Sequence, residues 1–98
     1  VYGSEAVGDT VSRVAISPGA GGSMIRYALE KRAEVLITGD IGHHDAIDAA
    51  AEGLAIVDAG HYGLEHIFIP FMEEYVKRVT GGTVEVILAE PAFPARVI

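Results

Sequence analysis

Ninety-eight residues, half of them hydrophobic, bear fourteen acidic and seven basic side chains for a formal charge of −7, and none is cysteine. A chain of this size makes one small domain, and its Ala-, Val-, Ile- and Gly-rich composition is that of an α/β sheet protein rather than a disordered tail. The acidic balance opposes nucleic-acid binding and favours cations; the absence of thiols excludes disulfides and thiolate zinc sites and makes the cytosol the default compartment; no apolar stretch approaches the ~20 residues of a membrane span.

Val1 to Thr10 is weakly patterned and reads as an extended lead-in. The chain opens at Val1 with neither a Met nor a basic-then-apolar leader, so it is expected to be a piece of a longer protein. A β-branched stretch from Val11 predicts a strand ending near Ser17, broken by Pro18-Gly19-Ala20-Gly21-Gly22. Ser23 is placed to cap a helix from Met24 to about Arg32, with Ile25, Ala28 and Leu29 on one face. Glu34 to Thr38 is a short apolar strand, and Gly39 to Gly42 a turn. His43 to Glu52 reads as a helix packed through Ala46, Ile47, Ala49 and Ala50, with Gly53 as its stop. Leu54 to Val57 is a continuous apolar strand. A helix follows from about His61 to Val79, kinked or split by Pro70 and closed by Gly81-Gly82. Thr83 to Leu88 alternates like a last strand, and Pro91 and Pro94 end regular structure.

The order β-α-β-α-β-α-β predicts an α/β three-layer sandwich: a mostly parallel sheet of about four strands with helices on both faces, in a single domain over residues 1–98. Ligands bind such sheets at the carboxyl ends of the strands. Three polar, Gly-containing turns should line that edge: Ser17 to Gly22, Thr38 to His44, and Asp58 to Glu65.

The chemistry concentrates in two of these turns. His61 and Glu65 stand four apart on a predicted helix, which puts their Cβ atoms roughly 5–6 Å apart on one face. Imidazole nitrogen with carboxylate oxygen suits Zn, Mn, Fe or Co, although a catalytic zinc takes three protein ligands plus water, so further ligands must come from elsewhere. The plainer reading is a histidine at a helix start with an exposed glutamate. Asp40, His43, His44 and Asp45 form the second cluster. Asp40, His43 and His44 are candidates for substrate contact, ligand support or proton transfer; equally, Asp40 can cap the following helix, and Asp45 reads as a first-turn acid. Asp58 either orients a ligand or caps the next helix. Ser17-Pro18-Gly19-Ala20-Gly21-Gly22-Ser23 could hold an anion on free N–H groups but matches no phosphate-loop or dinucleotide pattern, which favours a tight strand-to-helix turn. Ser17 has no triad partners, and His66 reads as a helix flank. The stripe of Phe68, Ile69, Phe71, Met72, Tyr75 and Val79 reads as core first and as an oligomer interface second.

The succession Val14-Ala15-Ile16-Ser17-Pro18-Gly19-Ala20-Gly21-Gly22-Ser23, Leu36-Ile37-Thr38-Gly39-Asp40-Ile41-Gly42-His43-His44 and Ile56-Val57-Asp58-Ala59-Gly60-His61-Tyr62-Gly63-Leu64-Glu65 resembles the C-terminal part of the dinuclear metal-centre family, the NGG-interacting-factor-three-like proteins often labelled GTP cyclohydrolase I type 2 homologues. The resemblance covers essentially the whole chain. It implies a two-lobed α/β protein holding two divalent ions between its lobes. An N-terminal paired-His motif and an Asp would supply some ligands, and a C-terminal Gly-His-Tyr-x-x-Glu motif the rest. That motif is Gly60-His61-Tyr62-x-x-Glu65 here, so the resemblance implies His61 and Glu65 as the metal ligands of this chain, and places His43-His44 as site lining. It further implies ring-like hexamers for the full-length proteins. The departures are the missing N-terminal lobe, Leu64 where Thr is frequent, and Ala89 where Ser is frequent.

The function expected is a metal-dependent hydrolase acting on an unidentified phosphate-containing or nucleotide-like small molecule, of whose dinuclear site this chain supplies part. The alternative is a non-enzymatic metal-binding scaffold or regulator acting through its oligomeric surface. Partners expected are metal ions, substrate and copies of itself, with neither nucleic acid nor membrane.

Overall fold

Three apolar, β-branched runs form the strands of one parallel sheet: β1 (Val14–Ala20), β2 (Val35–Gly39) and β3 (Ala55–Asp58), in the order β1-β2-β3. They belong to a computed structural model that describes residues 1–93; Pro94, expected to help end regular structure, lies outside the described residues. The chain divides into two compact units, Val1–Leu64 and the segment from Glu65 onward.

In the first unit, parallel pairing aligns Val14, Val35 and Ala55 in one row, Ala15, Leu36 and Ile56 in the next, and Ile16, Ile37 and Val57 in the third. Because side chains alternate across a strand, the middle row faces opposite to its neighbours. It faces α1 (Ile25–Glu30) and α2 (His43–Ala51): Leu36 and Ile56 share one buried cluster with Ala28 of α1, Ala49 of α2, Ala33 and Leu54. Sequential strand order with right-handed crossovers requires both helices on one face. The outer rows are covered unevenly, with Val35 and Ala55 buried but Val14 and Ile16 exposed on the edge strand. Leu36, Leu54 and Ile56 are each 0–1% exposed, and burying such side chains contributes about 1.5–3 kcal/mol each.

Several boundaries differ from expectation for identifiable reasons. β1 runs on through Pro18, because an edge strand tolerates a residue without an N–H; it advances from Ile16 to Ala20 while β2 advances only from Ile37 to Gly39, so the Pro-Gly stretch is absorbed as an irregularity in the ladder. Gly21–Met24 forms a 3-10 turn ahead of α1, so Ser23 lies inside that turn and Met24 takes the cap position without a side-chain bond. The lead-in is partly ordered: Tyr2 bridges antiparallel to Ile56 on the outer edge of β3, and Ser4–Ala6 makes a 3-10 turn. Ile47 of α2 turns outward at 46% exposure, whereas Ala46 and Ala49 are buried. Gly53 stops α2 as expected: at φ +87° it donates to Ala50 O while Leu54 donates to Ala49 O, the paired bonds of a Schellman ending.

The long last helix is two. α3 (Gly60–Glu65) is separated from α4 (Phe68–Val79) at His66-Ile67. Pro70 explains the split, since it has no N–H to donate to the His66 carbonyl and its ring would clash there; it is accommodated in the first turn of α4. Gly81 and Gly82, both at positive φ, close α4. Two expectations for the second unit fail. Thr83–Leu88 forms no strand, so the sheet among the described residues has three strands rather than about four. Phe68, Phe71, Tyr75 and Val79 of α4 are exposed rather than packed in a core. No helix among the described residues is long and apolar enough to cross a membrane.

Candidate functional site

The carboxyl ends of the three strands meet as closely as glycine allows. A Cβ on Gly21 would lie 1.9 Å from Thr38 Oγ1, and a Cβ on Gly39 would lie 2.6 Å from the Gly60 carbonyl carbon and 2.7 Å from the His61 nitrogen. Glycine at these two positions therefore lets the turn after β1 approach β2, and the turn after β2 approach the start of α3. Thr38, fully buried, donates from Oγ1 to Gly19 O at 3.3 Å. This packing accounts for Gly21 in the Ser17 to Ser23 stretch as part of a tight strand-to-helix turn.

The turns after β2 and β3 are fastened by Asp58. As the last residue of β3 it stands opposite Thr38, one position short of the Gly39-Asp40-Ile41 turn. Its Oδ1 accepts N–H bonds from Asp40 and Gly60, each 2.9 Å, and its Oδ2 accepts the N–H of Ile41 at 3.1 Å. Burial pushes the Asp58 carboxyl up, but these three N–H donors outweigh it and hold the group below its ordinary value. The helix-capping reading of Asp58 is thus half the account: one bond reaches forward to Gly60, and two cross to the neighbouring turn.

Asp40 sits at φ +47°, in the left-handed region that Asp tolerates better than most residues. With its N–H fixed on Asp58, its carboxylate engages the ring of His61, Oδ2 against Nδ1. An ionised carboxylate only accepts, so Nδ1 carries the proton and donates; in the neutral imidazole this leaves Nε2 with its lone pair. Asp40 does not cap α2, whose cap position is Gly42 with no side-chain bond. The Asp40 and His61 side chains are 60% and 46% exposed, open to an incoming ligand.

The other candidates lie apart from this thread. His43 packs edge-on against Tyr2, ring centroids 6.2 Å apart, and against His44 at 5.7 Å; among the described residues no hydrogen bond or ring contact joins either to Asp40 or His61. Asp45 stands beside Gly22 and Gly42. Glu65 is exposed in the last turn of α3, four residues beyond His61. His66, half-buried in the link that follows α3 in sequence, meets Phe93 edge-on at 6.1 Å. A concavity of about 510 Å³ between α1 and α2 includes Asp45 but none of Asp40, His43, His44 and His61; donor chemistry rather than cavity size therefore marks the site.

A metal fits this donor set only in part. The His61 imidazole and the Glu65 carboxylate are each of a ligand type, yet among the described residues no group of three or more His, Asp or Glu side chains could hold an ion. A complete site would need ligands from outside them. Asp58 is the residue whose cross-turn role the sequence concealed; the available signal was an Asp ending one parallel strand beside a Gly-Asp turn ending the next.

The profile of the Duf34/NIF3 (NGG1p interacting factor 3) family matches residues 2–92. The "GTP cyclohydrolase 1 type 2 homolog" of Lactococcus lactis is 42% identical over 67 residues, covering 68% of this chain and 26% of that protein. The protein of the same name from Streptococcus pneumoniae is 51% identical over 59 residues, 60% of this chain and 22% of the relative. The chain thus spans about a quarter of the length of these relatives. Among solved structures, the Staphylococcus aureus hypothetical protein SA1388 superposes with a TM-score of 0.71 at 27% identity, over 90% of this chain and 30% of its own. The Bacillus cereus protein related to NIF3 gives a TM-score of 0.71 at 29% identity, over 90% of this chain and 25% of its own.

Proposed function

Because the chain belongs to the Duf34/NIF3 (NGG1p interacting factor 3) family, we propose that it forms part of a dinuclear metal-binding protein, a metal-dependent hydrolase of a phosphate-containing or nucleotide-like small molecule. The observation that carries the reading is His61, whose Nδ1 is committed to Asp40 while Nε2 is left free, the arrangement found behind metal-ligating histidines. His61 and Glu65 are the ligands this chain contributes. The ions proposed are divalent, Zn, Mn, Fe or Co, two per complete site, with the remaining ligands supplied from outside the described residues. Bound divalent ions supply such a site with a Lewis acid and an activated water. Asp40 holds the imidazole; in this reading His43 and His44 serve substrate contact and proton movement rather than ligation, a role that their exposure at the start of α2 supports. The nucleotide-like substrate is supported by the name carried by the curated relatives. The cysteine-free composition supports a cytosolic protein.

A second reading rests on α4, whose exposed Phe68, Phe71, Tyr75 and Val79 support a self-associating protein, up to a hexamer, that acts as a metal-binding scaffold or regulator. Turnover separates the two. The intact protein, loaded with Mn²⁺ or Zn²⁺, is assayed against nucleoside triphosphates and simple phosphate esters beside its His61→Ala variant. The hydrolase reading expects release of phosphate or of a hydrolysed base that His61→Ala abolishes. Activity that survives His61→Ala contradicts it, and metal binding with no turnover on any substrate favours the scaffold.

A further inference from the structure

The Asp58 carboxylate accepts three backbone N–H bonds at once, two from the turn after β2 and one from the start of α3. Each bond has a consequence for His61. The bonds from Asp40 and Ile41 fix the turn in which Asp40 holds its left-handed backbone, and so fix where the Asp40 carboxylate points. The bond from Gly60 fixes the backbone immediately before His61. The imidazole is therefore set from two sides, its backbone by Asp58 directly and its ring by Asp58 through Asp40. The close approach of Gly39 to the backbone of Gly60 and His61 leaves little room for either turn to shift alone.

We infer that Asp58 is a positioning residue: by tying the two turns together it holds the His61 ring in the Nδ1–H tautomer, with Nε2 presented outward as a ligand. This rests on the metal-binding reading of His61 but makes a separate claim, about the metal-free protein as well as the metal-bound one. Ala at this position removes both acceptor oxygens, so neither side of the clamp survives Asp58→Ala, whereas Asn, keeping one oxygen, could still accept from both Asp40 and Gly60.

The test is the tautomer of His61 in the intact, metal-free protein, read from two-bond proton–nitrogen correlations, in the parent and in Asp58→Ala. The expected result is the Nδ1–H form in the parent and a mixture with the Nε2–H form in the variant, accompanied by an approximately 10–100-fold loss of Zn²⁺ affinity, the usual effect of removing such support. A purely structural Asp58 would lower the unfolding midpoint and leave the tautomer alone. An unchanged tautomer in folded Asp58→Ala overturns the inference. Should that variant fail to fold, amide hydrogen exchange in the parent carries the test: Asp40 and Ile41 must be protected despite their place in a surface turn, and exchange at free-loop rates overturns the clamp. Zn²⁺ binding by His61→Ala equal to the parent would remove the metal reading while leaving the tautomer result standing, so the two failures are distinct.

Discussion

The two histidine-bearing turns of the first unit are held in opposite ways. His61 stands at the end of a chain of polar bonds, Asp58 to the backbone of Asp40 and Gly60, then Asp40 to the ring. His43 and His44 carry the denser pair of imidazoles but rest on edge-on ring contacts with Tyr2 and each other. Ring contacts of this kind contribute about 0.5–1.5 kcal/mol and leave the ring free to choose its tautomer, whereas an acceptor-only carboxylate dictates it. A concentration of histidines is thus no guide to which is preorganised; the neighbouring carboxylates are.

The largest effect expected from breaking this contrast is at Gly39. Ala there would press its Cβ to within 2.6 Å of the Gly60 backbone, and because backbone cannot step aside cheaply, Gly39→Ala should destabilise the fold by about 1–3 kcal/mol, seen as a lower urea midpoint, and should displace the His61 resonances. Acid comes next. The Asp58 carboxyl is held below its ordinary value, so its contribution is fully present above the unfolded value of about 3.9 and is lost as pH falls through the lower folded value. The gap in urea midpoint between the parent and Asp58→Asn should be widest near pH 6 and shrink below about pH 4; a gap independent of pH would break the account of the clamp. The smallest effect is at the other turn. His43→Ala should change stability by no more than about 0.5 kcal/mol, as surface changes usually do, and should leave metal content at the parental level, while lowering turnover if the hydrolase reading holds.

The elements that were legible in the sequence are those whose local signals agree with their packing. β2 and β3 are short apolar runs bounded by turns, and Gly53 ends α2 at a positive φ that few other residues accept. The misread places are those where tertiary context decides. Pro18 and Gly19 look like a stop, but an edge strand can carry them. Thr83–Leu88 alternates like a strand, yet alternation makes a strand only where a neighbour offers a ladder. The stripe of α4 has the periodicity of a core face, and periodicity does not say what covers it. For the candidate site, residue types and spacing drew attention to His61, Glu65 and Asp40 but left plainer readings open, and the family resemblance was what favoured His61 and Glu65 as ligands. The joining of Asp40 to His61 and the triple role of Asp58 depend on two turns that are 17 to 21 residues apart in sequence, a distance that no local pattern spans.

The most direct test of the central claim is metal content by mass spectrometry on the intact protein and its His61→Ala and Glu65→Ala variants, each dialysed against Zn²⁺ and Mn²⁺ and then against buffer alone. Metal retained by the parent and lost from both variants is the predicted result. Parental metal content in either variant would contradict the assignment of that residue as a ligand, and a parent that retains none would contradict the metal reading altogether.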